Sequence, residues 1–234
     1  MITGVILNWK RPANVQRIVA GWLAGGLVTE AIVWNNNSDA PLGPIAGAKV
    51  INAGHDLGLY TRFAAACLAQ HECVLIQDDD LELPRVSLAA LHAAWQTDPD
   101  VIHGVFGRTP KPDGSYARNV QGDIEVPVVL TRVLLAHRHY AARFFEVAPR
   151  FAEIQHEGRP AGNGEDILFS YTTRRASGRL NRVHRASVTE LPAPHSIHGR
   201  NWQAHIDHRT RLLRACEAWL QENTHEDRRN LLHV

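Results

Sequence analysis

Cysteine is scarce in this chain of 234 residues: Cys67, Cys73 and Cys216 are the three present, an odd number without metal-site spacing. That excludes a disulfide framework and a thiolate metal cage, and reduced, partly buried thiols are the expectation. Charge of one sign is missing too. The formal net charge is +1, so no global field draws the chain to nucleic acid, and only the C-terminal half leans basic. Long apolar runs are absent, and MITGVILNWKRP opens directly on a strand-like run. Neither a signal peptide nor membrane insertion is expected, and a cytoplasmic, microbial location is. No internal repeat, low-complexity tract or Pro/Gly/Ser-rich linker occurs, which excludes a solenoid and tethered domains. With 44% hydrophobic residues the chain can bury one substantial core, and one domain over 1–234 is the reading.

What is present alternates between two periods. Ile2–Leu7 is an apolar run, followed by Val15, Ile18, Val19, Trp22 and Leu23 at helical spacing. Glu30–Trp34, Lys49–Ile51 and Cys73–Gln77 read as further strands, with Ala-rich helical sequence between the last two. The second half predicts strands at Val101–Phe106 and near Val126–Leu130 around a Gly/Pro-rich loop, and helices at Arg132–Val147, Asp166–Ala176 and Gln203–Leu220. Strand alternating with helix implies an α/β fold with a mixed, mainly parallel sheet flanked by helices. Ligands of such sheets bind beyond the carboxyl ends of the strands, where the polar clusters Asn8 to Arg11, Asn35 to Ser38 and Asp78 to Asp80 fall.

In VLIQDDDLELP, three carboxylates follow a strand fit for the core. Like charges there resist desolvation unless a cation joins them, and hard oxygen ligands at a strand end suit Mg²⁺ or Mn²⁺ on a diphosphate. The competing reading is a solvated acidic turn paired with Arg85. A phosphatase of the haloacid dehalogenase type would want Asp-x-Asp with Thr or Val beyond, and here Leu81-Glu82 follows. In GNGEDI, glycines deliver Glu165 and Asp166 to a helix start, where they either cap the helix or act on a substrate. The run Arg174, Arg175, Arg179, Arg182 and Arg185 reads as a solvated face.

The succession GVILNWKRP, EAIVWNNNS, VLIQDDDLELP, HGVFGRTPKPDGSY and GNGEDILFSY resembles the exostosin-like glycosyltransferases over roughly residues 2 to 216. The resemblance implies a GT-A fold, a nucleotide-binding half at about 1–107 and an acceptor and catalytic half at about 108–222. It implies transfer of an N-acetylhexosamine from a UDP-sugar to a carbohydrate acceptor with retention, using Mn²⁺ (or Mg²⁺). Carried over by position, Leu7, Asn8, Trp9 and Arg11 line the uridine pocket, Asn35 bonds the nucleotide and Arg62 reaches the diphosphate or donor sugar. Asp78 and Asp79 contact ribose or sugar, Asp80 is the main metal ligand with Asp78 beside it, and Asp166 lies near the anomeric carbon with Glu165 next to it. Arg209 matches an arginine beside the diphosphate, with Arg211 close behind. The family often has asparagine where Leu57 stands. GEDILFSYTTRRASG also resembles inverting GT-A enzymes, in which the aspartate is a general base, so retention and inversion both stay open. His195 or His198 is a candidate third metal ligand. A nucleotidyltransferase would want glycines where NWKRPANV has none, and a sugar-nucleotide-binding relative without turnover is the remaining alternative.

Overall fold

The computed structural model describes residues 1–116, 118–157, 163–193 and 202–230. β1 (Ile2–Asn8) is buried along nearly its whole length, as a central strand with apolar residues on both faces must be. α1 (Pro12–Gly25) begins with proline, whose missing N–H costs nothing in a first turn, and buries Val15, Ile18, Val19 and Trp22. The chain continues through β2 (Val28–Asn35), β3 (Ala48–Asn52), α2 (Thr61–Cys67), β4 (Cys73–Gln77), β5 (Leu81–Glu82) and α3 (Arg85–Thr97). Then follow β6 (His103–Gly104), β7 (Gly107–Thr109), β8 (Arg118–Val120), β9 (Ile124–Val126), β10 (Val128–Val129), β11 (Val133–His137) and α4 (His139–Val147). After a 3₁₀ turn at Ala148–Phe151 come α5 (Ala152–Glu157), α6 (Glu165–Ser177), β12 (Asn181–Val183), β13 (Thr189–Glu190) and α7 (Trp202–Asn230).

The main sheet has the order β3-β2-β1-β4-β11-β6-β12-β9. Its first four strands are parallel, β11 runs antiparallel between β4 and β6, and β12 returns parallel to β6. This is the expected mixed α/β architecture, and both halves of the chain contribute to one sheet. Two small sheets, β10-β7-β8 and β13-β5, flank it. Phe63 of α2 packs on Phe144 of α4 and Phe169 of α6, with ring centroids 4.3 and 4.4 Å away. Such aromatic pairs add about 0.5–1.5 kcal/mol each beyond their buried area. They also bring the start of α2 beside the start of α6, which positions the site. Among the described residues, no helix is long and apolar enough to cross a membrane.

Three expected elements differ. The helix expected at Arg132–Val147 is a strand, β11, followed by α4. Val133 to His137 pair residue by residue with Gln77 to Cys73, and that long-range ladder overrides a sequence fit for helix. The strand expected over Val101–Phe106 shrinks to β6, and β7 turns away into a separate small sheet. The strand expected near Val126–Leu130 is split into β9 and β10 at Pro127, which has no N–H for a ladder. Cys67, Cys73 and Cys216 are free thiols, the last two buried.

Candidate active site

Asn8, Asn35 and Asn52 stand in register at the carboxyl ends of β1, β2 and β3. The Asn8 amide donates to Asn35 Oδ1 at 2.7 Å, and the Asn35 amide donates to Asn52 Oδ1 at 2.8 Å. Asn35 also donates to the carbonyls of Asn37 and Ala40 and accepts from the Asn37 N–H, so its polar atoms are all engaged within the chain. The ladder pins the turns that leave the three strands. Asn36 does the same for the loop before α2, donating to Gly58 O and Thr61 Oγ1. After β1 the chain turns through Lys10 at φ 64, a left-handed conformation that costs a lysine energy. That turn aims two amides: Arg11 N donates to Asn8 Oδ1, and Trp9 N donates to Asp79 Oδ2 at 3.1 Å.

The three aspartates after β4 are held differently. Asp79 is buried and takes Arg11 Nη1 at 2.5 Å, while Asn14 anchors its carbonyl. Burial pushes the Asp79 carboxyl up to about 6, with Arg11 pulling the other way. Asp78 accepts from Arg62 Nη1 at 3.0 Å. Asp80 receives only a longer contact from Arg11, 3.3 Å to Oδ2, and its Oδ1 is buried without a hydrogen-bond partner. Burial, and then the neighbouring Asp78, raise the Asp80 carboxyl above the usual range.

A desolvated carboxylate oxygen lacking a donor calls for a cation. Asp80 Oδ1, with Asp78 adjacent, fits a Mn²⁺ or Mg²⁺ ion. No group of three His, Cys, Asp or Glu side chains closes around such an ion among the described residues. That donor set suits a hard cation that keeps water and substrate phosphate in its shell. His195 and His198 lie outside the described residues.

Arg62 links this cluster to the second one. It lies on α2, is 5% exposed, and places Nε 3.7 Å from Glu165 Oε1 while its Nη1 holds Asp78. Burial alone would lower the Arg62 pKa, but Asp78 and Glu165 lift it, so the guanidinium stays charged. Glu165 accepts from Thr131 Oγ1 at 2.9 Å, and its burial raises it in spite of Arg62. Asp166, the next residue of α6, takes Arg209 of α7 on both oxygens, with Oδ1 at 2.5 Å. Arg209 Nη1 also donates to Asn163 Oδ1 at 3.0 Å, and its guanidinium carbon lies 4.5 Å from the centroid of the Tyr116 ring. The Nε atom of Arg209 is buried without a partner. Burial would lower its pKa, and the charge of Asp166 raises it well past the ordinary arginine value.

Gly164 makes this junction possible. It precedes α6 at φ 96, and a Cβ there would sit 2.5 Å from Leu212 Cδ2. Only glycine lets α6 and α7 approach closely enough for Arg209 to reach Asp166.

The structure therefore gathers two ion-pair groups, Arg11 with Asp79 and Asp80 and Arg62 with Asp78 and Glu165, which meet at the consecutive residues Asp78 and Asp79, and joins Asp166 to Arg209. Leu7 and Trp9 are half-buried beside Asn8, with Lys10 Nζ 5.1 Å from the Trp9 ring. Asn52, Asn14, Thr131, Asn163 and Tyr116 were not singled out by sequence reasoning. Asn52 had a usable signal, since it ends a strand as Asn8 and Asn35 do; the other four depend on tertiary contacts.

The model of the glycosyl transferase family 64 domain matches residues 2–227. No curated protein matches the sequence. Among solved structures, the chain is similar to the crystal structure of GalNAc-T7 with UDP, GalNAc and Mn²⁺, at 10% identity and a TM-score of 0.59. The match covers 87% of this chain and 45% of that one, so the chain spans less than half of that structure's length. At that identity the likeness shows the fold, which is GT-A.

Proposed function

The chain belongs to glycosyl transferase family 64 and is a glycosyltransferase, and from that premise we propose that it moves an N-acetylhexosamine from a UDP-sugar to a carbohydrate acceptor, with retention of configuration and with Mn²⁺ or Mg²⁺. The exostosin-like motifs support the donor class. GalNAc-T7, crystallised with UDP, GalNAc and Mn²⁺, supports the same nucleotide and metal on this fold. In this reading Leu7, Asn8, Trp9 and Arg11 line the uridine end, while Asn35 acts through the asparagine ladder that shapes it. Asp80 and Asp78 hold the cation. When bound, that cation neutralises the departing diphosphate. Arg62 is kept charged between Asp78 and Glu165, and Arg209 offers its unpartnered Nε–H, so fixed positive charge surrounds a developing anion.

One observation carries the choice of stereochemistry: both oxygens of Asp166 are bonded to Arg209 in a buried pair. Both oxygens already accept from Arg209, and Oδ1 accepts from the Ile167 N–H as well, so the carboxylate is occupied within the chain and poorly placed to take a proton from an acceptor hydroxyl. It remains a fixed negative charge at a helix start, suited to steadying an oxocarbenium-like centre. Incubation with a panel of nucleotide sugars and Mn²⁺, reading released UDP and the anomeric configuration of the product by NMR, tests the proposal. Release confined to a non-uridine donor, or an inverted product, would overturn the corresponding part.

A further inference from the structure

The segment HGVFGRTPKPDGSY has no role in the chemistry above, yet its last residue touches the centre of it. We propose that Tyr116 is a positioning residue, fixing the plane of the Arg209 guanidinium from a strap that is itself fastened to α7. This inference rests on the reading of Arg209 as part of the transfer site.

The strap runs between β7 and β8, which pair antiparallel. It closes on itself: Gly114 N donates to Lys111 O at 2.9 Å, Lys111 N to Ser115 O at 3.0 Å and Ser115 N to Asp113 Oδ1 at 2.9 Å. Gly114, at φ 74, supplies the left-handed residue that so tight a turn needs. Two bonds then fasten the strap to α7. Arg214 donates to Asp113 O at 3.1 Å, and Tyr116 N donates to Thr210 Oγ1 at 3.0 Å. The second bond sits one residue from Arg209, so ring and guanidinium are brought together through Tyr116 itself on the strap and adjacent positions on α7.

The division of labour follows from the shape of a guanidinium. Asp166 and Asn163 bond its edge, which fixes where its nitrogens point but leaves the plane free to tilt about that edge. The guanidinium carbon lies over the face of the Tyr116 ring, itself 5% exposed, 4.5 Å from the ring centroid, a contact that the edge bonds do not supply. The guanidinium carbon of Arg108, on β7, lies 5.9 Å from the centroid of the same ring. A desolvated cation on an aromatic face is held well enough that losing the face lowers a rate by about tenfold. The hydroxyl contributes nothing to that face, so phenylalanine is the conservative replacement. The same face contact limits where the unpartnered Arg209 Nε–H can point.

Two measurements test this. In denaturant titrations, Tyr116→Leu is expected to lose more stability in the parent chain than in an Arg209→Met chain, where the contact is already gone. Equal losses in the two backgrounds would overturn the inference. In turnover with UDP-N-acetylglucosamine or UDP-N-acetylgalactosamine and Mn²⁺, Tyr116→Leu should lower kcat about tenfold and leave the donor KM within about twofold, while Tyr116→Phe loses at most about threefold. A loss confined to KM, or equal losses for leucine and phenylalanine, would also overturn it. Should Tyr116→Leu fail to fold, Thr210→Val removes the fastening bond while preserving shape; it should lower kcat about threefold, and an unchanged kcat would count against the strap. A parent chain that releases UDP from neither donor strikes the functional reading instead, and the stability cycle then decides the contact between Tyr116 and Arg209.

Discussion

Arg209 grips Asp166 by both carboxylate oxygens, and the two side chains sit at the junction of α6 and α7, only 5% and 4% exposed. Asp166→Asn would cap a helix as well as aspartate does, but it turns an amide donor toward a buried cation. We expect a stability loss of about 3 kcal/mol in denaturant titrations, as when one partner of a buried pair is removed. Transfer should fall at least about a hundredfold. The double change Asp166→Asn with Arg209→Met should regain part of the stability and none of the activity. Recovery of both would show that the pair only holds the fold.

Asp80 makes the opposite forecast. Its Oδ1 has no partner, so Asp80→Asn should leave the melting temperature of the metal-free protein unchanged or slightly higher. UDP binding in Mn²⁺, followed by calorimetry, should weaken at least about tenfold, because one charged oxygen ligand is lost. Unchanged affinity would remove Asp80 from the metal site.

His103 predicts a pH dependence away from the site. Its Nε2–H donates to Asp98 O at 2.7 Å, and His184 Nε2 lies 2.9 Å from its Nδ1, with Arg182 nearby. Burial, opposed by Asp98 and reinforced by His184, lowers its pKa to about 4. The folded imidazole stays neutral where the unfolded one is protonated, so the stabilisation is complete above about pH 6.5 and disappears as pH falls toward 4. Over that window it amounts to about 3 kcal/mol. Stability measured from pH 4 to 7 should show this slope in the parent chain and a shallower one in His103→Gln.

Gly164→Ala should cost about 2 kcal/mol or more, since it combines a disfavoured positive φ with a clash against Leu212. Pairing it with Leu212→Ala relieves the clash and not the backbone strain. The pair should therefore recover less than the full loss in a thermal melt, after allowing for the cavity that Leu212→Ala leaves.

The parts of this molecule legible in sequence are those specified locally. Cys73–Gln77 has its bounds written in five apolar or neutral residues before three acids, and Asn8, Asn35 and Asp78 announce themselves as polar residues ending apolar strands. VLLAH at 133–137 was not legible as a strand because its own composition suits a helix equally well; only the vacant edge of β4, some 60 residues earlier, decides it. The order of GNGEDI gave Asp166, but not that Arg209 would saturate it, since that bond joins residues 43 positions apart. Tyr116 was invisible for the same reason: its partner is chosen by the path of a strap.

Arg209 lies on α7, whereas the three aspartates after β4 are complete by Asp80. A chain growing from its N-terminus therefore carries Asp78 to Asp80 early and gains the partner of Asp166 late. Until α7 has docked, Asp166 has no Arg209 and the Tyr116 strap has no anchor.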